Sequence, residues 1–315
     1  MKAVAFDTPG GPEVLKVVEL PDPEVGEGEV LIRVQTAAVS PTDTVRRAGS
    51  RTEGKEGPFV PGMDVAGMIE AIDANADTDL TVGDKVMAIV VPDGAHGAYA
   101  ERVVVPVESV ARMPEGSTFA EACTLPMNGL TARLALDTLN LPEGSTLVVT
   151  GAAGVLGGYV VQLAKADGLV VMADTSEADD ELVLSLGADI VKLRGETFPD
   201  AVRTEFPKGV DAVIDAAVME DEILPAVKDG GTVITIRGAK GERDRGVTFQ
   251  PIWVVDYAKE QAKLDALRQQ VEDGVLTLRV AEVLQMEDAP EAHRKLEAGG
   301  IRGRIVLEFG DIPWT

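Results

Sequence analysis

Residues 146–165 constrain the fold of this chain more than any other stretch: Thr146-Leu-Val-Val-Thr-Gly-Ala-Ala-Gly-Val-Leu-Gly-Gly-Tyr-Val-Val-Gln-Leu-Ala-Lys165. The apolar run Leu147 to Thr150 reads as a buried parallel strand, and from Val155 the apolar spacing becomes that of a helix. Small residues make the turn between them. Ala152, Gly154 and Gly157 fall on the three spaced positions of a dinucleotide-binding turn, with Ala replacing the first Gly, and Ala153, Val155 and Leu156 complete it. Such a turn must be tight, must let backbone approach a pyrophosphate, and must pack helix closely on strand. The helix N-terminus then offers unpaired N–H groups to phosphate oxygens. Asp174 follows at about the 20-residue spacing expected of a ribose-binding carboxylate.

The rest of the chain organises around this unit. The first hundred or so residues read as short β segments, such as Glu29-Val-Leu-Ile-Arg-Val-Gln35 and Lys85-Val-Met-Ala-Ile-Val90, divided by Gly, Pro and Asp turns. From Phe119 strands and helices alternate. Strands are predicted at 146–151, 169–174, 189–193, 210–215 and 231–237, and helices at 155–167, 177–186, 198–206 and 219–228. Strict alternation implies βαβ units and an α/β doubly wound parallel sheet. Residues 247–255 are a further extended segment, predicted as an edge strand through which two copies pair. A helix over 264–272, a strand over 280–284, a helix over 289–297 and a strand over 305–309 end the reading. The sheet domain, 119–264, is therefore expected as an insertion in a β-rich domain formed by 1–118 and 265–315.

Composition narrows the partners. Lys and Arg number 29 against 53 Asp and Glu, a net charge of -24, which repels nucleic-acid phosphates and anionic membranes. The acids are spread along the chain, as in a highly solvated surface, and a high-salt source would screen their repulsion. A single cysteine, Cys123, excludes an internal disulfide and a thiolate-rich metal cluster, and reads as a small buried hydrophobe. Met1-Lys-Ala-Val-Ala-Phe6 enters a strand pattern at once with no signal-peptide plan, so the expected location is the cytoplasm.

Several motifs, in their order, resemble the medium-chain dehydrogenase/reductase superfamily, in its zinc-free quinone oxidoreductase (ζ-crystallin-like) branch. They include Pro9-Gly-Gly-Pro-Glu-Val-Leu15, Ser40-Pro-Thr-Asp43, Pro61-Gly-Met-Asp-Val-Ala-Gly67, Gly97-Ala-Tyr-Ala-Glu101, Leu125-Pro-Met-Asn-Gly-Leu-Thr-Ala132, Leu186-Gly-Ala-Asp189 and Gly303-Arg-Ile-Val-Leu307. The resemblance spans nearly the whole chain. It implies a Rossmann sheet domain inserted into a GroES-like substrate domain, and a homodimer. Where the superfamily's alcohol dehydrogenases place zinc ligands, this chain has Ser40, Met63 and, near the third position, Thr124, with Cys123 one position off and Asp64 keeping a carboxylate. That set lacks the Cys and His donors of catalytic zinc, so no metal is expected.

The resemblance implies NAD(P)H-dependent reduction of quinones or α,β-unsaturated carbonyls, in which the protein orients the cofactor and stabilises developing negative charge. Alternatives are an enoyl-thioester or carbonyl reductase, or a non-catalytic dinucleotide-binding protein. The Ser40 hydroxyl is the candidate donor to the substrate oxygen, and Tyr99 a second, although Tyr99 reads better as a packed aromatic. Asp43 and Arg47 fit a structural ion pair. Asn128 and Thr131 are candidates for the nicotinamide end or the phosphates. Ala216 and the run Ile236, Arg237, Gly238 lie in strand-end loops on the ligand side as backbone contacts to the cofactor, and Arg304 matches a basic family position, as a cofactor contact or a surface residue. Asp174 favours NADH, whereas family habit, Thr175, Ser176 and a 2′-phosphate grip by Arg194 favour NADPH. Asp179 stands where NADPH-dependent relatives have a basic residue. The balance falls to NADPH.

Overall fold

The structure, a computed structural model, describes residues 1–310. Strands β1 (Lys2–Ala5), β2 (Lys16–Glu19) and β3 (Glu29–Ala38) are followed by helix α1 (Pro41–Arg47). Next come β4 (Asp64–Ile72), β5 (Lys85–Ile89), β6 (Arg102–Pro106) and β7 (Val110–Arg112). Helices α2 (Phe119–Ala122) and α3 (Pro126–Leu139) lead to β8 (Thr146–Thr150), α4 (Val155–Ala166), β9 (Val170–Thr175), α5 (Asp180–Ser185) and β10 (Ile190–Leu193). Then follow α6 (Phe198–Glu205), β11 (Val210–Asp215), β12 (Val227–Thr235), β13 (Gly241–Glu242) and β14 (Thr248–Pro251). Helix α7 (Gln261–Glu272), β15 (Val280–Gln285), α8 (Ala289–Ala298) and β16 (Arg304–Glu308) end the described chain. No helix among the described residues is long and apolar enough to cross a membrane.

The chain divides into two compact units. The parallel-sheet unit comprises Asn128–Val254 with Asp273–Thr277. Its strands run β10-β9-β8-β11-β12-β14-β13, all parallel except β13. The first six follow the order of a dinucleotide-binding sheet, which reverses direction between β8 and β11 and so opens a crevice at the carboxyl ends of those two strands. Val148, Met172, Val213 and Val233 from the sheet pack with Phe198, Val202 and Ile223 in a buried apolar core. The strands are apolar on both faces because helices cover both, which is why they read as continuous Val/Ile runs.

Two local readings of this unit need correction. The predicted helix over 219–228 is a 3-10 segment, Glu220–Ala226, because Pro225 has no N–H to continue an α-helix and Val218 and Glu220 take positive φ. The predicted strand over 231–237 runs instead from Val227 to Thr235. The edge-strand reading of 247–255 also fails. Only Thr248–Pro251 is strand, and its outer side carries β13, which pairs Gly241 with Phe249 and Glu242 with Thr248. The loop after β12 doubles back and covers the position where a second copy was expected to add. The chain beyond it turns into a short 3-10 segment, Val254–Tyr257.

The β-rich unit comprises Met1–Met127, Val255–Glu272 and the chain from Leu278 onward; residues 311–315, assigned to this domain from the sequence, lie outside the described residues. Its main sheet runs β15-β16-β3-β4-β5-β7, with β6 also on β3. Residues 119–127 and 255–264 go with this unit rather than with the sheet domain. The reasons are local: the Thr36 hydroxyl of β3 donates to the Phe119 carbonyl, and the Gln261 carboxamide donates to the carbonyls of Val107 and Val110. The last strand is essential to the first part of the chain, since β16 pairs Val306 with Ala38 and Leu307 with Ala37.

Candidate active site

The phosphate turn lies at the sheet's switch point. Gly151 ends β8 with φ +66°, and a Cβ there would stand 3.2 Å from the backbone of Ala216 and Ala217 in the loop after β11. Gly154 precedes α4 and its N–H donates to the Gly151 carbonyl at 2.9 Å. Gly157 faces the same turn. A Cβ on it would meet the Gly151 carbonyl oxygen, the Gly151 carbon at 2.7 Å and the Ala152 Cα at 2.8 Å, all backbone. The turn therefore needs glycine at 157 for packing and at 151 for conformation. The first N–H groups of α4, from Val155, Leu156 and Gly157, have no carbonyl one turn back and aim out of the helix end. Ala152 and Ala153 are buried beneath the turn. This is a cradle for an anion of pyrophosphate type.

Asp174 does not stand free for a ribose. It is 3% exposed, and its Oδ1 accepts the Ala152 N–H at 3.3 Å. Burial pushes its carboxyl up, against the Ala152 hydrogen bond and the Arg194 charge. Thr175 is fully buried and its hydroxyl donates to the Ser176 carbonyl. The Ser176 hydroxyl donates to Asp179, and the Arg194 guanidinium lies 3.7 Å from the same carboxylate. Arg194 also fixes its backbone on the Thr175 carbonyl at 2.7 Å. Thus Ser176, Arg194 and Asp179 form one half-exposed polar group beside the end of β9.

The loop after β11 is organised from below. The Asp215 carboxylate accepts the Thr150 hydroxyl at 2.7 Å and the N–H groups of Met219 and Glu220, while the Thr150 oxygen accepts the Ala217 N–H at 3.0 Å. Ala216 is thereby held in place by two buried side chains that sequence reasoning did not single out. An acid at a strand end was the available signal. After β12, Arg237 is exposed and Gly238 takes φ +89° with the Trp253 ring 3.5 Å from its Cβ position. On α3, Asn128 and Thr131 are 9% and 8% exposed, and the Asn128 carboxamide makes no hydrogen bond among the described residues.

In the β-rich unit the expected catalytic residues are inside the core. Ser40 is fully buried where α1 begins, and its N–H and hydroxyl both donate to Asp43 Oδ2, at 2.8 and 3.1 Å. Tyr99 is fully buried and its hydroxyl donates to the same oxygen at 3.1 Å. Neither hydroxyl is open to a substrate, because Asp43 takes both. The Gly62 N–H completes four donors to this carboxylate. Burial still raises Asp43 to about 6. Arg47 does not pair with Asp43, as had been expected. It donates to the Gly10 carbonyl, to His293 Nδ1 at 3.1 Å and to Glu297. A guanidinium has no acceptor, so Nδ1 of His293 is the unprotonated nitrogen and Nε2 carries the proton toward Tyr99, 3.3 Å away. The result is a one-way chain of donors from Arg47 through His293 and Tyr99 to Asp43. Burial and the Arg47 charge push His293 down to about 3, which keeps it neutral.

Arg304 likewise serves the interior rather than a ligand. It is 4% exposed and donates to the carbonyls of Val39 and Ala38 and to Asp64 Oδ2 at 2.8 Å. The other Asp64 oxygen accepts the Met127 N–H at the start of α3, at 2.6 Å. A fully buried acid is thus held between a guanidinium and a helix N-terminus.

Sequence and structure comparisons show the family and the fold. Residues 26–115 match the family described as alcohol dehydrogenase GroES-like domain, and residues 186–307 the family described as zinc-binding dehydrogenase. A quinone oxidoreductase of Pongo abelii is 30% identical over 98% of this chain and 97% of its own length. The chain belongs to the medium-chain dehydrogenase/reductase superfamily, in the zinc-free quinone oxidoreductase branch. An NADPH-dependent alkenal/one oxidoreductase of Arabidopsis thaliana is 35% identical over 76% of this chain, and the match spans 63% of that protein. Among solved structures, an NAD-dependent alcohol dehydrogenase superposes with a TM-score of 0.87 at 28% identity, covering 98% of this chain and all of that one. A mycobacterial protein complexed with NADPH gives 0.86 at 29% identity with the same coverage.

The zinc named in one family description does not fit this member of the superfamily. The Ser40 hydroxyl is committed to Asp43, Met63 offers only a thioether, and the Thr124 hydroxyl donates to the Glu121 carbonyl. Burial pushes the Cys123 thiol up to about 12, and the thiol donates to the Ala120 carbonyl at 3.3 Å. Asp64 is paired with Arg304 at 2.8 Å, and its other oxygen accepts the Met127 N–H. Among the described residues no three His, Cys, Asp or Glu side chains are grouped to hold a metal.

Proposed function

We propose that this chain is a cytoplasmic, metal-independent NADPH-dependent reductase of quinones and α,β-unsaturated carbonyls. The observation that carries the reading is the turn 151–157, whose glycine-dependent packing and free helix N–H groups form a pyrophosphate cradle at the switch point of a dinucleotide-type sheet. A bound reduced nicotinamide supplies the hydride. The chain's own part is to fix the phosphates at α4, to keep the 216–220 loop rigid through Asp215, and to offer a donor to the oxygen that gains charge. With Ser40 and Tyr99 enclosed, the uncommitted Asn128 carboxamide is that donor.

The preference for NADPH is supported by Ser176 and Arg194, which flank the end of β9, against the Asp174 carboxylate, which is tied to the Ala152 N–H. Asp179 must release Arg194 for the grip to form. We further infer a homodimer. The family resemblance supports it, and so does the Trp253 side chain, 44% exposed beyond the strand edge that β13 occupies; sedimentation would read the oligomeric state.

The test is the loss of reduced-nicotinamide absorbance with NADPH and NADH against panels of quinones and enones. Turnover with NADPH is expected, with the preference over NADH reduced about tenfold or more in Arg194→Ala. Cofactor binding without turnover on any acceptor would refute the enzyme reading.

A further inference from the structure

The two side chains assigned to a 2′-phosphate already share an acid of this chain. The Ser176 hydroxyl donates to Asp179 Oδ2 at 2.5 Å, and Arg194 Nη2 lies 3.7 Å from the same oxygen. Asp179 is 5% exposed and held by its own backbone: its N–H donates to the Ser176 carbonyl at 2.8 Å, closing the 3-10 turn Glu177–Asp179. Arg194 is anchored from the other side, through its N–H on the Thr175 carbonyl. Its side chain is 46% exposed and makes no hydrogen bond among the described residues. At 3.7 Å the guanidinium is attracted to Asp179 without being bonded to it. A phosphate offering two oxygens to the fork would hold it better, but would also have to take the Ser176 proton from Asp179.

The surrounding charge decides what such a phosphate meets. From 174 to 181 the chain has five acids, Asp174, Glu177, Asp179, Asp180 and Glu181, and no base. Glu196 follows Arg194 by two positions, and Lys192 is turned onto Glu205 at 2.7 Å. Arg194 is therefore one cation among six acids in these two segments. A 2′-phosphate brings up to about two negative charges at neutral pH. One guanidinium cannot balance both that phosphate and the carboxylate it leaves behind.

We propose that Asp179 is an internal occupant of the 2′-phosphate seat, and that with its acidic neighbours it makes the preference for NADPH over NADH rise with ionic strength. Guanidinium–phosphate recognition by itself has the opposite sign, because salt screens the attraction. Here the attraction comes from one cation at contact, whereas the repulsion comes from several exposed charges at longer range, which salt removes first. NADH has no 2′-phosphate, so it neither displaces Asp179 nor meets that repulsion. The proposal rests on the 2′-phosphate grip of Arg194 put forward above, and not on turnover.

Calorimetric titration of the full chain with NADP+ and with NAD+ reads the ratio of the two dissociation constants without catalysis. Between 0.1 and 1 M potassium chloride the Debye length falls from about 10 to about 3 Å, and the wild-type preference for NADP+ is expected to rise about fivefold or more. Asp179→Asn keeps a partner for the Ser176 hydroxyl and removes the charge beside Arg194. Its preference for NADP+ at 0.1 M should exceed that of the wild type about fivefold or more, and should rise only about twofold at 1 M. A wild-type preference that falls with salt overturns the proposal without recourse to any variant, and so does an Asp179→Asn variant with the wild-type preference and salt response. Either result leaves the grip standing if Arg194→Ala still loses the preference. An Arg194→Ala variant that keeps the wild-type preference removes the grip, and the seat with it.

Discussion

His293 and Asp43 belong to one buried hydrogen-bond chain but titrate in opposite senses, and the substitution His293→Gln separates them. Folding pushes His293 from 6.5 down to about 3 and Asp43 from 3.8 up to about 6. As pH falls from about 7 to 5, the unfolded histidine binds a proton that the folded one refuses, so stability is lost, by about 2 kcal/mol. Over the same interval the folded Asp43 takes a proton that the unfolded carboxylate still lacks, so stability is gained, by about 1 kcal/mol. The histidine term is present above 6.5 and fades toward about 3, and the aspartate term is full below 3.8 and gone above about 6. In the wild type the aspartate term offsets part of the histidine term. Glutamine can accept from Arg47 and donate to Tyr99 as the neutral imidazole does, but it does not titrate. The variant should therefore gain about 1 kcal/mol between about pH 7 and 5 where the wild type loses a little, a divergence of about 2 kcal/mol between the profiles. Urea unfolding followed by circular dichroism reads this directly, at pH values above the isoelectric point near 4.4. The remaining carboxylates are common to both proteins and drop out of the difference. Profiles that run parallel within about 0.5 kcal/mol would refute both the tautomer and the coupled network.

Two further outcomes follow from the geometry. Gly157→Ala puts a methyl against the backbone of Gly151 and Ala152, so the turn must shift; cofactor affinity measured by nicotinamide fluorescence should fall about tenfold or more, with a loss of about 1–3 kcal/mol in stability. Arg304→Met leaves Asp64 charged and enclosed and should cost about 3–5 kcal/mol in urea unfolding, whereas Asp64→Asn combined with Arg304→Met should recover at least half of it. A double variant as unstable as the single one would show that the pair is not what Arg304 stabilises.

The sheet unit was legible because its signals are local. A strand, a glycine turn and a helix are encoded within twenty consecutive residues, and apolar runs of four to six residues mark the other parallel strands. Residues whose role depends on distant partners were not. Ser40 and Tyr99 carry hydroxyls suited to catalysis, yet Asp43 collects both, and the histidine that sets the direction of the Tyr99 proton lies 194 positions away. No spacing rule reaches that far. Arg304 was read as a ligand contact because its partner Asp64 is 240 positions distant. The edge reading of 247–255 failed for a related reason: two residues of an irregular loop, Gly241 and Glu242, turn back onto β14 without any strand-like pattern.

The discontinuous β-rich unit also fixes an order of events during synthesis. Residues 128–254 hold nearly the whole parallel sheet and can close as soon as they leave the ribosome, with strands that pair across short crossovers. The stretch made before them cannot. β3 lacks the second of its two neighbours along its Thr36–Ala38 end until β16 is translated, Asp64 has no guanidinium until position 304, and Tyr99 has no imidazole until position 293. For most of translation the first-made segment therefore waits with acids destined for burial still in water. The part of the protein that emerges first is the part that finishes last, and a chain stopped short of β16 would leave it open.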